Sequence, residues 1–459
     1  MKTALFSPTP ARSICAPTSL RGAHREMRSK CGASSFFIMS RVSPGKVNTR
    51  MLQKVFIALS LALLLLSAAA YAATSQPVAV TTFACSGNKL QRVGPCPHGG
   101  EPSFLIQGSD GNFYGTAFVS SEGNQSQPNG GTVFSVTASG QFTLLHTFLP
   151  SVKNNYPNGN NPGPITEGSD GNLYGVTSNG GVPGNGVLYR VGRKSGFKVI
   201  HSFCSATNCT DGYIPETMVA GTDGNLYGLT IAGGTGNCFA GCGTIFRVVP
   251  ATGTYEVVFN FDGKADGDRP GSLTLAPDGS FYGFSGPIFH YVPATGDFQS
   301  LPGTTFPRFG FDGSFPSSSM VIANGKIYGL YTIYQMGGAG LFEVNLDGSN
   351  LKLFPRYNTT SSGGSPDGVL LASDGNLWVA EHVANNSNGD LIALSLSTGT
   401  VLKTLKPFGI NAAVGTLPAA LLQVKDGTLW GTTTMFGKVS AGHFGDGVVY
   451  SLNASLPPR

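Results

Sequence analysis

The chain has 459 residues, of which 65 are Gly and 29 Pro, and only 12% are charged. Long runs of Ala, Leu, Glu and Lys are missing after the first apolar segment, which excludes a mainly helical protein and favours short strands joined by tight turns. The net charge of +5 belongs to the leader: taking the ten basic residues and one acidic residue of positions 1–72 from totals of 29 and 24 leaves 19 against 23, or −4, and no electrostatic case for nucleic-acid binding.

Residues 1–50 hold nine Lys or Arg, one acid (Glu26) and no periodic apolar pattern. They read as a leader that is either untranslated, with Met51 as the true start, or unstructured. From Met51 the chain presents Lys54, an apolar run and a small-x-small ending at Ala70, Tyr71 and Ala72, the pattern of a signal peptide over 51–72. A membrane anchor needs roughly 20 apolar residues, more than this stretch supplies. The expectation is an exported, monomeric protein (secreted, periplasmic or at the cell surface) with a mature domain over 73–459 and no transmembrane segment after cleavage. Six cysteines remain after the leader, Cys85, Cys96, Cys204, Cys209, Cys238 and Cys242. An even count in an exported chain predicts disulfides between sequence neighbours. A four-thiolate zinc site from Cys204, Cys209, Cys238 and Cys242 is the competing reading, against which export argues.

Downstream, one phrase recurs. Aligned on its turn, it places Asp110, Asp170, Asp223, Asp278, Asn324, Asp374 and Asp426 in the same slot, each followed by Gly, at spacings of 60, 53, 55, 46, 50 and 52 residues. A proline stands eight residues earlier every time: Pro102, Pro162, Pro215, Pro270, Pro316, Pro366 and Pro418. Each copy reads as an apolar strand, the turn, a second strand such as NLYGVT, a variable loop, a third strand such as GTVFSVTA and a fourth such as FTLLHTF. The fold class is therefore all-β, a seven-bladed β-propeller of four-stranded antiparallel blades. The Asp-Gly step predicts a two-residue type I′ hairpin. The aromatic residue four positions after the Asp should pack between blades, and the Gly after it should permit close approach. The seventh copy lacks a fourth strand, and PVAVTTFAC, residues 77–85, fits that pattern, so the N-terminal strand should complete the last blade.

These repeats, SDGNLYG followed by GG, GTVF and LLHTF, resemble the GloVer tandem repeat of exported "choice-of-anchor" proteins over residues 77–454. The resemblance implies an exported propeller-like repeat protein, with no activity attached. The C-terminal anchor common in that family has no counterpart in SLNASLPPR. In one blade, DGNLWVAE (residues 374–381) is similar to the repeat of virginiamycin B lyase-type propellers.

The reading for function is a binding or scaffolding module for a glycan or an envelope protein surface. The alternatives are a lyase- or lactonase-like enzyme working at the channel mouth, and a structural envelope protein. The variable loops share one face of the propeller, so ligands are expected there or at the channel mouth. Tyr156, Tyr213, Phe239, Phe436 and Phe444 are its candidate stacking residues. Glu381 with His382, and His443 with Asp446, are the His–carboxylate neighbourhoods on that face. His146 and His201 fall where Phe259 stands in the next repeat, and a position that accepts Phe is a packing position; His290, inside a third strand, reads the same way. Asp262, Asp266 and Asp268 alternate as calcium ligands do, without the spacing of an EF-hand. No cofactor is predicted, calcium being the single candidate.

Overall fold

The computed structural model describes residues 76–86, 96–119, 130–149, 156–193, 196–304, 315–316, 320–332, 339–357, 364–383, 388–439 and 443–453, all within the unit 66–459. The leader and signal-peptide segments lie outside them. Among the described residues no helix is long and apolar enough to cross a membrane.

Seven antiparallel sheets follow one another along the chain. Blade 1 runs from inner to outer strand as Gly100–Gln107, Phe113–Val119, Thr132–Val136 and Phe142–Thr147. Blades 2, 3, 4 and 6 repeat that order from inner strands Asn160–Glu167, Tyr213–Ala220, Ser272–Leu275 and Gly364–Leu371. The inner strand of blade 5 comes in two pieces, Phe315–Pro316 and Val321–Ala323. Blade 7 takes Thr416–Gln423, Leu429–Met435 and His443–Leu452 from the far end of the chain. Its outer strand is Val78–Ser86, antiparallel to the third with Val78 opposite Ser451, as the sequence predicts.

The core is divided among the interfaces. Seven apolar clusters each join two consecutive blades, and the one at the seam between blades 7 and 1 includes Phe83, Phe113, Phe134, Trp430 and Val449. Phe113 stacks on Trp430 there at 3.8 Å. Burying such side chains contributes roughly 1.5–3 kcal/mol each, so the ring is held blade to blade.

The Asp-Gly turn differs in type from the expectation. In blade 1 the strands end at Gln107 and Phe113 and leave a five-residue loop closed by Gly108 N–H on Asn112 O at 2.8 Å. Gly111 N–H reaches Gly108 O at 2.9 Å, and only Gly111 has a positive φ, +82°. This is a type I turn finished by a left-handed glycine. Among the described repeats the two-residue type I′ turn occurs once, where Asn replaces Asp: Ala323 pairs with Lys326, and Asn324 and Gly325 have φ of 51° and 71°. In the other turns the Asp carboxylate is an organising acceptor. In blade 3, Asp223 takes hydrogen bonds from Asn225 N at 3.1 Å, Asn225 Nδ2 at 2.8 Å and the Tyr227 hydroxyl at 2.8 Å. Burial opposes ionisation of Asp223, but these bonds outweigh it and lower its pKa. Burial and the same carboxylate push Tyr227 up to about 12. The repeated Tyr is thus both an interface ring and a donor to its own turn.

The glycine after that Tyr faces an aromatic ring of the third strand. A Cβ on Gly115, Gly175, Gly228, Gly283, Gly329 or Gly431 would overlap Phe134, Tyr189, Phe246, Phe289, Phe342 or Tyr450. Blade 6 changes both partners together, pairing Val379 with Ile392.

Outer strands carry a second interblade device. His146 stacks on Phe197 of the next blade at 3.6 Å, His201 on Tyr255 at 3.9 Å and Phe259 on Phe298 at 3.8 Å, all within 9° of parallel. At the seam Thr81 occupies the corresponding strand position. His98 supplies the missing ring from outside the strand, stacking on Phe142 at 4.1 Å, two residues beyond the Cys85–Cys96 disulfide.

Candidate functional site

The channel mouth on the variable-loop face is built by the repeated proline. In five of the blades the residue just before it is held in the left-handed region: Glu101 (φ 55°), Asn161 (54°), Ile214 (54°), Arg269 (51°) and Leu417 (60°). That conformation is costly for a residue with a side chain, most of all for β-branched Ile214. A bond to the preceding blade holds it: the N–H of Asn161 donates to Gly130 O at 3.1 Å, that of Ile214 to Asn185 O at 3.2 Å, that of Arg269 to Cys242 O at 3.0 Å and that of Leu417 to Asn388 O at 2.9 Å. The proline ring then packs on a bare glycine of that blade; Gly131 meets Pro162, Gly389 meets Pro418, and Gly447 meets Pro102 across the seam. After the proline the strand bulges, as between Pro102 and Phe104 and between Pro418 and Leu421. A bulge re-aims side chains, and it brings Ser103 and Ala419 into the mouth.

Between blades 6, 7 and 1 these features enclose a cavity of about 520 Å³, lined by Glu101, Ser103, Phe104 and Phe118 of blade 1, Leu417, Ala419, Ala420, Thr434 and Met435 of blade 7, and His382 of blade 6. Phe104 and Phe118 meet edge to face at 6.4 Å. The Ser103 hydroxyl donates to Glu101 O at 3.1 Å. A cleft of about 500 Å³ opens on the opposite face between the turns at Gly108 and Asp426, lined by turn residues of blades 1 and 7. The mouth cavity instead combines apolar walls with an acid and an imidazole, the composition of a small-molecule site.

His382 lines this cavity. Glu381 is not beside it: successive strand residues point to opposite faces, and Glu381 is buried on the other side, where burial and then this carboxylate raise the pKa of Tyr357. Asp446 is buried against Gly100 and the Cys85–Cys96 disulfide. The side chains of His443 and Phe444 lie outside the described residues. Tyr156 is buried, and Tyr213 is half-buried with part of its side chain against a core cluster. Phe436 is half-buried with φ 62°. Phe239 is fully exposed, within the loop closed by Cys238–Cys242.

The Asp262 carboxylate accepts from Lys264 N at 2.7 Å and Asp266 N at 3.3 Å, which fixes its own loop. Burial and the neighbouring Asp262 raise the pKa of Asp266. Asp262, Asp266 and Asp268 do not gather their oxygens within 4.8 Å of one another; among the described residues only Cys85, Cys96 and Asp446 do so as a group of three, and two of those are joined. The cysteines pair 85–96, 204–209 and 238–242, so the four thiols considered for zinc are consumed.

Burial lowers His146 to about 4 and also lowers His290. Burial lowers His201 too, against the opposing pull of Asp211 at 3.0 Å. The Ser205 hydroxyl donates to Asp211 at 2.8 Å. That geometry differs from a nucleophilic triad, where the serine bonds the histidine.

Glu101, Phe104 and Phe118 are the site residues the sequence reading missed. The available signal was the residue before the repeated proline, which reads Glu, Asn, Ile, Arg, Phe, Ser and Leu around an unchanging Pro.

The profile of the Gloeobacter/Verrucomicrobia repeat matches residues 101–338. No curated protein matches the sequence. The chain is similar to the extracellular domain of a one-component system of B. thetaiotaomicron, at 11% identity and TM-score 0.49 over 82% of this chain and 40% of that one. It therefore spans less than half the length of that relative. It is also similar to a protein from Lactobacillus plantarum, at 16% identity and TM-score 0.46 over 66% and 84% of the two chains. A glucose dehydrogenase-type oxidoreductase of Thermus thermophilus is similar at 14% identity and TM-score 0.41, over 82% of this chain and all of that one.

Proposed function

We propose, from the premise that the chain belongs to the Gloeobacter/Verrucomicrobia repeat family, that the protein is an exported binding module whose ligand seat is the channel mouth between blades 6, 7 and 1. One observation carries the reading. The repeated residues are occupied by the scaffold: Asp with its turn, Tyr with Asp and the interface, Gly with a ring, Pro with a glycine of the previous blade. The cavity is lined by residues outside that repeated set. Three disulfides and the apolar leader fit an oxidising, extracytoplasmic destination. Phe239, exposed on its closed loop, suits contact of the same face with a larger partner such as a glycan or an envelope protein.

The test is a thermal-shift screen of the protein and of Ala419→Trp, which fills the mouth. A ligand at a hundredfold excess over its dissociation constant stabilises the folded state by about 2.7 kcal/mol. A compound that shifts the protein but not the plugged variant supports the seat. Equal shifts in both place binding elsewhere, and turnover of a lactone or cyclic peptide lost in His382→Ala would replace the binding reading with an enzymatic one.

A further inference from the structure

We propose a second seat on the variable-loop face, for a neutral polysaccharide, in which the ring of Phe239 is the stacking platform. It rests on the binding reading above and adds the chemistry of a larger ligand.

Two crosslinked loops make the seat. Residues 204–209 and 238–242 are each closed by a disulfide, and the two loops are bonded to one another, Gly234 N–H donating to Cys209 O at 3.0 Å. Gly233 permits the approach, because a Cβ there would stand 2.6 Å from that same carbonyl oxygen. Within the second loop Gly233 N–H donates to Ala240 O at 2.9 Å and Gly241 N–H to Cys238 O at 3.1 Å. At its root Thr235 N–H donates to Asn260 Oδ1 at 3.0 Å. Phe239 stands at the tip of this frame, fully exposed. A single exposed apolar side chain is ordinary on a protein surface. This one is mounted on a short loop whose disulfide and backbone bonds keep it from folding back, so little backbone freedom is lost when a ligand covers the ring.

The surroundings choose the ligand. Residues 204–210 and 233–243 contain no charged side chain, and Thr207, Asn208, Thr235 and Asn237 bring hydroxyl and amide groups to their surface. The loop 262–269, which packs on Cys238 through Gly263, carries three Asp against Lys264 and Arg269. An acidic polymer or an anionic membrane therefore meets no excess of positive charge. A protein interface is centred on a buried apolar cluster, whereas Phe239 is the single exposed large hydrophobic residue of the two loops. A neutral sugar fits both features. Its C–H face covers the ring, whose negative face attracts the polarised hydrogens, and its hydroxyls exchange bonds with Thr and Asn groups that both donate and accept. A polymer suits one open ring better than a monosaccharide does, because its repeating units return to the seat before the chain diffuses away.

The experiment is native affinity electrophoresis of the full chain through gels containing hydroxyethylcellulose, mixed-linkage β-glucan, galactomannan or dextran. Polygalacturonate is the acidic comparison, and sedimentation with phosphatidylglycerol vesicles the lipid one. Retardation by at least one of the neutral polymers is expected, with none by polygalacturonate. Phe239→Ala should raise the dissociation constant about tenfold or more, the scale of an aromatic anchor, and Phe239→Trp should retain binding. The ring is fully exposed, so neither variant disturbs the core. Cys238→Ser combined with Cys242→Ser keeps the ring and frees its loop, and should weaken binding about two- to tenfold, the equivalent of ordering one more side chain. If no neutral polymer retards the protein, or if Phe239→Ala is retarded as strongly as the parent, the inference falls. Vesicle binding that depends on Phe239, without retardation, would replace the polysaccharide with a membrane. Ala419→Trp separates these failures from failure of the mouth reading. Polymer released by the filled mouth and not by Phe239→Ala belongs in the mouth, so this inference falls and that reading stands. Retardation that needs Phe239, in a protein whose melting responds to no small ligand, leaves this seat and removes the mouth.

Discussion

Replacing His146 by Phe should make the protein less sensitive to acid, by an amount the structure sets. His146 stacks on Phe197 at 3.6 Å, and its Nε2 is buried without a hydrogen-bond partner among the described residues. The equivalent residue of blade 3, Phe259, makes the same stack on Phe298 at 3.8 Å, so the position accommodates the larger ring. Burial lowers the imidazole to about 4, against about 6.5 in an unfolded chain. Between those values the unfolded state holds a proton that the folded state lacks. Stability from this residue is therefore complete above the unfolded pKa and declines as pH falls through the window. At pH 5 the full shift would cost about 2 kcal/mol, and partial exposure of the ring reduces this to about 1–2 kcal/mol. Urea unfolding of the protein and of His146→Phe at pH 7.5 and pH 5.0 gives the difference of differences, in which titration of all other groups cancels. A gain of about 1–2 kcal/mol at pH 5.0 relative to pH 7.5 is expected. A double difference of zero, or of opposite sign, would refute the reasoning.

Three further outcomes follow from the packing. Gly228→Val should destabilise blade 3 by about 1–3 kcal/mol, because the new side chain meets Phe246 and the Thr217 carbonyl; adding Phe246→Ile, the pairing found at Val379 and Ile392, should recover the part of the loss due to the ring in the same unfolding assay. Cys85→Ser opens a disulfide of sequence separation 11 and should cost about 2–3 kcal/mol by the chain-entropy model, with reducing agent producing no further loss at this pair. Asp223→Ala should destabilise by about 1–3 kcal/mol, since Tyr227 loses its acceptor. Asp223 has a lowered pKa, so this difference should be full at neutral pH and shrink as pH falls below about 4, as thermal melts across pH will register.

The blade count, the strand order and the borrowed outer strand are legible because each rests on a local pattern repeated seven times. Pro102 through Pro418 and the turn glycines keep their spacing, and residues 77–85 carry the fourth-strand pattern intact. Turn type is less legible, because Asp-Gly and Asn-Gly differ in how many flanking residues join the loop; the five-residue form at Asp110 and the two-residue form at Asn324 follow from strand register. His146 and His201 could be assigned to packing from Phe259 alone. His98 could not, since it reaches the stack from a loop with no repeat signal, and the one hint was Thr81 in the place of a ring. The mouth cavity is still less legible. Its lining joins Glu101 to His382 and Met435, hundreds of residues further along the chain, and Glu381 was separated from His382 by the alternation of a strand whose exact register the sequence leaves open.

The borrowed strand has a consequence for the order in which the ring is made. Every other outer strand pairs with a neighbour a hairpin away, so six blades can form as the chain emerges. Residues Val78–Ser86 are synthesised early, yet their partner His443–Leu452 is made after almost everything else. Until that partner arrives, the first strand has an unpaired edge, the form of a sheet most open to mispairing. The blade that fastens the circle therefore waits on full-length synthesis, and a chain stopped short of residue 443 would hold six blades and a loose clasp.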